Sequence, residues 1–337
     1  MKVLLHAAVD LALPGGLETH LRELATGLQA RGHDVRVSGR ASDPVPFRLA
    51  HEPAPADFDV VHDHTGDVPG ALAGHPGTVR TLHFCVAAKM ATYVAIGRVQ
   101  TLANLPNWRA VAQERTRARR PGALIAVAER VRRDFARWHG LDPARASVIP
   151  NGITLGEPGA TRAQLRARWG IDARTVVLLT IGRPDFVKGY DLLARAWSSA
   201  RIDPARALWV TVGGREAARA PGRLVTGPLA HADVEDWIRA ADLGALPSYY
   251  EGCSVALLEM LAGRLYTLAH DVGNAAEVIR PRDNGEVVPR SEAAWAGALA
   301  RLVAAPPARP EAGLPPAFEW AAIVEATERV YRSVARG

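Results

Sequence analysis

The stretch YYEGCSVALLE, Tyr249 to Glu259, carries two glutamates eight residues apart. Glu251 follows two tyrosines and precedes a glycine, so it reads as loop. Glu259 lies within SVALLEMLAG, which is apolar almost all round and reads as a buried helix. An unpartnered carboxylate in such a helix costs several kcal/mol. Glu259 therefore calls for a partner. The vicinal hydroxyls of a ribose would serve, since one carboxylate can accept both; an arginine such as Arg264 is the alternative. Glu251, outside the helix, is placed to meet a sugar hydroxyl, a positive centre or plain water.

On both sides of this stretch, strands alternate with helices, the mark of a parallel α/β fold. In the first half KVLLHAAV, DVRVSG, DVVHDH, TVRTLHF and ALIAVA read as strands, with GLETHLRELATGLQARG as the first helix. A second series follows VIPNGI: strand TVVLLTIGR, helix GYDLLARAWSSA, strand ALWVTVGG, helix HADVEDWIRAA and strand LGALPS, then the helix of Glu259 and strand YTLAH. The Gly- and Pro-rich segment 151–162 reads as a hinge between two domains. A Pro-rich break at 304–317 precedes a last helix, FEWAAIVEATERVYRSVARG. The expected domains are residues 1–155 with 318–337, and 156–317.

The 337 residues suit two domains, and 48% apolar content supplies their cores. No run of eighteen apolar residues is present, so no membrane-spanning helix is expected. MKVLLHAAVD reads as a first strand and lacks a signal-peptide cleavage site. Cys85 and Cys253 offer neither a disulfide framework nor zinc spacing. A cytoplasmic protein is expected, with peripheral contact at the inner membrane face as a variant of that reading. The net charge of +6 favours anionic partners. Residues 87–133 are the most basic part, read as a solvated helix face or as a surface for an acidic acceptor or membrane, above all at 109–133. The segment lacks the aromatic interleaving that stacks bases, so no nucleic-acid partner is expected.

Four constellations could carry chemistry. Gly15 and Gly16 join the first strand to the first helix, where glycines let backbone N–H groups approach an anion; a plain tight turn is the alternative. TIGRPDFVKGYDLL spaces Arg183 and Lys188 five apart over one strand-to-helix loop, as a pyrophosphate clamp would. Only three of the 41 basic residues are lysines, so Lys188 carries weight. His62, His64 and His83 end two strands, the edge at which open α/β sheets bind ligands. One of them is expected to face the ligand and the others to pack or cap rather than hold a metal. Asp57 and Asp59 form a D-x-D at the wrong end of their strand and read as its lead-in. The fourth constellation is the Glu251–Glu259 stretch with DVGNAAEVI behind it.

Together GGLETHLRELATGLQARGHDV, VIPNGI, IGRPDFVKGYDLLARAW and LPSYYEGCSVALLEMLAG with AHDVGNAAEVI resemble the retaining GT-B glycosyltransferases of family GT4, over nearly the whole chain. The resemblance implies two Rossmann-like domains facing each other across a cleft, the last helix crossing back to the N-terminal one. It implies a nucleotide-diphosphate sugar as donor, UDP- before GDP-, and a small-molecule, glycan or lipid-linked hydroxyl acceptor. By the same match Arg183 and Lys188 hold the diphosphate, Glu259 the ribose hydroxyls and Glu251 the donor sugar. His83 lies near that sugar, and Gly15, Gly16, Cys253, Ser254 and Val255 complete the donor-binding set. No metal or other cofactor is expected, because the two cations neutralise the leaving group. Retention by front-side attack is implied.

The sequence departs from the family at Cys253-Ser254, where Phe-Gly is usual, at Gly263-Arg264-Leu265-Tyr266, and at Gly273-Asn274, where Gly-Gly is usual. All three lie beside the donor sugar in the family. Two other classes remain open at this point. A nicotinamide oxidoreductase would need the absent G-x-G-x-x-G. A polyanion-binding module would use the arginines of 109–133 and bind in a strongly salt-dependent way.

Overall fold

The computed structural model describes residues 1–10, 15–40, 54–66, 68, 70, 72–120, 122–156 and 160–335. The chain forms two compact units, Met1–Gly152 with Pro316–Gly337, and Ile153–Pro315. Residues 157–159 of the expected hinge lie outside the described residues.

The first unit runs β1 (Lys2–Asp10), α1 (Gly16–Ala30), β2 (Asp34–Arg40), β3 (Val60–Asp63), β4 (Thr78–Leu82), α2 (Val86–Ala95), α3 (Leu105–Ala118), β5 (Ala123–Ala126), α4 (Glu129–His139) and β6 (Ala146–Val148). Its sheet is parallel throughout, in the order β2-β1-β3-β4-β5-β6. Val3, Leu4 and Leu5 of β1 are wholly buried. Such near-continuous apolar runs suit strands covered on both faces. α1 buries Leu21, Leu24, Ala25 and Leu28, the stripe expected of one helical face.

The second unit runs α5 (Arg162–Arg168), β7 (Val176–Ile181), α6 (Tyr190–Ser199), β8 (Ala207–Ala220), β9 (Arg223–Gly227), α7 (His231–Ala240), β10 (Leu243–Leu246), α8 (Val255–Ala262), β11 (Tyr266–Ala269), α9 (Ala275–Val278), β12 (Gly285–Val287) and α10 (Glu292–Ala304). Its strand order is β12-β11-β10-β7-β8-β9. That is the Rossmann order, in which the sheet reverses direction of growth between β7 and β10.

The last helix, α11 (Trp320–Val334), returns to the first unit and packs on α1. The contact is close at Gly27, where a Cβ would lie 2.5 Å from Val324 Cγ2. Glu328 of α11 accepts from Arg31 Nε at 2.7 Å, and the Tyr331 hydroxyl meets His62 Nδ1 of β3 at 2.7 Å.

Three strands escape the sequence reading: β6, β9 and β12, each at a sheet edge and three to five residues long. β8 also runs past the expected ALWVTVGG. Its outer half shifts register to place Ala217 opposite Thr226 and Ala220 opposite Arg223, closing a turn at Pro221-Gly222. Among the described residues no helix is long and apolar enough to cross a membrane.

Candidate active site

In a doubly wound sheet the loops that leave the strands at the reversal point diverge, and the crevice between them takes the ligand. In the second unit these are the loops after β7 and β10. One carries Arg183 and Lys188, the other Ser248, Glu251 and the opening of α8. Two contacts zip the loops together. Tyr249 N–H donates to the Val187 carbonyl at 2.7 Å. Gly189, at φ +67°, lies so close to the Pro247 carbonyl that any Cβ would collide with it.

Lys188 Nζ lies 2.8 Å from Glu251 Oε1, and the Ser248 hydroxyl donates to the same oxygen at 2.7 Å. Both donors thus gather on Oε1. Ser248 is itself fixed from behind. Trp295 Nε1–H donates to His270 Nε2 at 2.8 Å, so the imidazole proton sits on Nδ1 and is donated to the Ser248 carbonyl at 2.9 Å. Burial lowers the His270 pKa to about 4, which keeps the ring neutral in this relay. Arg183 lies apart from the relay. Its side chain is 86% exposed and pairs with Asp185 at 3.7 Å.

Glu259 is buried on α8, as its apolar surroundings require. Arg264 is not its partner. The basic side chain beside it is His231 of α7, whose Nδ1 lies 3.9 Å from Oε1 and whose Nε2 lies 3.4 Å from Glu235. Burial first, and then the Glu235 carboxylate, pushes the Glu259 pKa up to about 7. A carboxylate held this poorly paired is poised for a ligand that donates hydrogen bonds.

At the opening of α8, Ser254 caps the helix by accepting from Leu257 N–H at 3.3 Å. Cys253 precedes it and Val255 is the first helical residue. The departure at Gly273-Asn274 has a visible consequence. Asn274 Oδ1 accepts the Ser254 N–H at 3.0 Å, so this amide is covered. That bond fixes the amide orientation and leaves Asn274 Nδ2 buried with no hydrogen-bond partner. Gly273, at φ +52°, brings this loop within 2.6 Å of the Gly252 carbonyl, measured from where a Cβ would stand.

In the first unit the reversal lies between β1 and β3. Gly15 precedes α1 and Gly16 opens it, but the Glu18 carboxylate folds back over Gly15. An acid of the chain itself thus occupies the helix N-terminus where an anion was expected. His62 is engaged at both nitrogens, by Tyr331 OH and by Thr81 Oγ1, each at 2.7 Å. His64 Nδ1 meets His83 Nε2 at 3.1 Å. His20 of α1, unremarked in the sequence reading, stacks edge-on against His64, His83 and Trp320. Burial and then His20 drive the His83 pKa to about 3, so His83 can give or accept a hydrogen bond but not act as a cationic acid near neutrality. Asp57 falls in a short 3-10 turn ahead of β3, and Asp59 bonds the Lys2 amide at 2.7 Å, a lead-in role.

Sequence spacing alone also hid Ser248, His270 and Trp295, which support Glu251, and His231 and Glu235, which surround Glu259. It hid a trio as well: half-buried Glu114 accepts Val86 N–H at 3.0 Å and meets buried His139 Nε2 at 2.8 Å, with buried Cys85 Sγ 3.7 Å from the same nitrogen.

Two six-stranded Rossmann-type sheets, with cations and carboxylates gathered at the reversal point of the second, define a GT-B glycosyltransferase. The chain belongs to the group 1, family 4 glycosyltransferases: residues 175–305 match the model described as glycosyl transferases group 1, and residues 44–157 match Glycosyltransferase Family 4. A D-inositol 3-phosphate glycosyltransferase of Actinosynnema mirum is 30% identical, over 84% of this chain and 76% of that protein. Among solved structures, a sucrose-phosphate synthase from Thermosynechococcus elongatus superposes with a TM-score of 0.79 at 20% identity, over 98% of each chain. Anabaena HepE in complex with UDP-glucose gives 0.68 at 18%, over 100% of this chain and 98% of that one. With the family established, the oxidoreductase and simple polyanion-binding alternatives fall away.

Proposed function

We propose that the chain transfers a sugar from a nucleotide-diphosphate sugar, a UDP-sugar in the first instance, to a hydroxyl acceptor with retention at the anomeric carbon. The observation that carries this reading is the convergence of Lys188 and Ser248 on one oxygen of Glu251 at the reversal point of the second sheet. Glu251 Oε2 is left to receive a donor-sugar hydroxyl. Lys188 keeps two further N–H donors for a phosphate, and the exposed Arg183 swings in from Asp185 to complete the clamp. Glu259 accepts the two ribose hydroxyls. The backbone of Cys253, Ser254 and Val255 borders the sugar and diphosphate at the mouth of α8.

The chemistry balances without a metal. The bond from the anomeric carbon to the diphosphate oxygen breaks, the acceptor oxygen bonds the same face, and the acceptor proton passes to the departing diphosphate. Charge grows on that diphosphate as the bond breaks, so fixed cations favour the transition state over the bound donor. UDP is named in the HepE complex and an inositol phosphate in the Actinosynnema relative. Donors are therefore screened as UDP- and GDP-sugars, with D-inositol 3-phosphate heading the acceptors. Mass spectrometry identifies the product, and NMR of its anomeric proton reads the configuration. Transfer with retention that persists in EDTA is expected. An inverted product, or activity abolished by chelation and restored by Mn²⁺ or Mg²⁺, overturns the reading.

A further inference from the structure

Val99, Leu102, Leu105 and Trp108 recur every third residue and are 59%, 45%, 58% and 49% exposed. Val99 and Leu102 belong to a short 3-10 helix (Val99–Ala103), whose period of three places them on one edge, and Leu105 and Trp108 open α3. Trp108 spends its one polar group within the ridge, donating Nε1–H to the Leu102 carbonyl at 2.8 Å, so the indole offers an apolar face. α3 buries only Ala118 of its fourteen residues, so little of the protein covers it. Residues 84–120 hold seven basic side chains against one acid, Glu114. That acid is turned inward onto the Val86 amide and His139. Arg98 and Arg109 flank the ridge, and Arg115 and Arg119 continue the Trp108 face of α3, all four exposed.

We propose that this ridge docks the first unit onto an anionic lipid bilayer, with Val99, Leu102, Leu105 and Trp108 in the acyl boundary and the arginines on the headgroups. A row of apolar tips followed by cations on the same helical face matches the layering of a bilayer surface, apolar below and negative above. A protein partner would need a groove cut to a projecting ridge together with an acidic rim; a bilayer accepts the ridge without such matching. The sequence had drawn attention to 109–133, whereas the apolar half of this surface lies ahead of that segment. The docking is independent of the donor chemistry.

Sedimentation with vesicles of phosphatidylcholine and phosphatidylglycerol, against phosphatidylcholine alone, tests it. Binding to the anionic vesicles only, weakened by salt, is expected. Val99→Ser with Leu105→Ser leaves the Trp108–Leu102 bond in place and should weaken binding by at least about tenfold. Arg109→Glu with Arg115→Glu should do the same. Val287→Ser, an exposed apolar residue of the second unit, should change nothing. Thermal melting of each variant confirms that it folds. Failure of the wild type to sediment with anionic vesicles overturns the proposal, as does undiminished binding by the Val99/Leu105 variant. A dimer that the same substitutions dissociate also overturns it, by assigning the ridge to a second copy.

Discussion

Lys188 and Glu251 neutralise each other across 2.8 Å, although 63 residues separate them. The pair joins the two loops of the reversal point, so it is at once a fastening and a reservoir of reactive charge. Lys188→Ala should lower kcat by about a hundredfold, on the order of 3 kcal/mol. Lys188→Arg should restore only part of it, because a planar fork cannot replace a compact ammonium in this tight loop. Steady-state kinetics decide: turnover of Lys188→Ala within threefold of wild type, with only Tm lowered, reduces the pair to a fastening.

Ser248→Ala removes one of the two donors on Glu251 Oε1 while leaving the Ser248 carbonyl to His270. Glu251 is then aimed less firmly. A fall in kcat of about tenfold to a hundredfold is expected, the worth of one hydrogen bond to a charged group, with the UDP dissociation constant unchanged by calorimetry. Weaker UDP binding with normal kcat would contradict this division of labour.

The raised pKa of Glu259 ties stability to pH. Between about pH 4.5 and 7 the folded chain holds a proton that the unfolded chain has released, so stability falls as pH rises through that window. The cost above it is roughly 3 kcal/mol. Glu259→Gln should therefore be more stable than wild type at pH 8 and no different at pH 4, read by urea denaturation. It should also bind UDP more weakly and abolish proton release on binding near pH 6.5. Parallel pH profiles for the two proteins would refute the assignment.

Asn274→Gly should uncover the Ser254 amide and remove an unpaired buried N–H from beside the proposed sugar site. The ratio of kcat/KM between two UDP-hexoses that differ at one hydroxyl should shift by about fivefold or more. An unchanged ratio would show that Asn274 only packs.

Tyr331→Phe leaves His62 Nδ1 without its partner in a closed interior. A loss of about 1–3 kcal/mol is expected, and with it a Tm lowered by several degrees. Turnover at temperatures below the transition should not change, since this bond lies in the first unit and the proposed donor clamp in the second.

Strand–helix alternation was legible because it is written in local periodicity. The glutamate pair was legible because burial of Glu259 follows from its immediate neighbours. Its partners were not. Arg264, five residues on, was the nearest cation in sequence, but the helix carrying His231 and Glu235 supplies the neighbours from 28 and 24 residues away. The relay from Trp295 to His270 to Ser248 was hidden for the same reason: two strand ends and a helix meet only when the sheet forms. β6, β9 and β12 were missed because three to five residues at a sheet edge show too little period to register.

The return of α11 to the first unit sets an order of assembly during synthesis. Residues 153–315 are contiguous, so the second unit has all its parts once that stretch has left the ribosome. The first unit emerges earlier yet lacks the helix that packs on α1, β4 and β5 until the whole second unit has been made. At translation rates of about 5–20 residues per second, its unprotected apolar face waits on the order of ten seconds for a helix encoded beyond the whole second unit. The unit that starts first is therefore completed last, and a chain cut short before Trp320 would lose the unit at the opposite end from the cut.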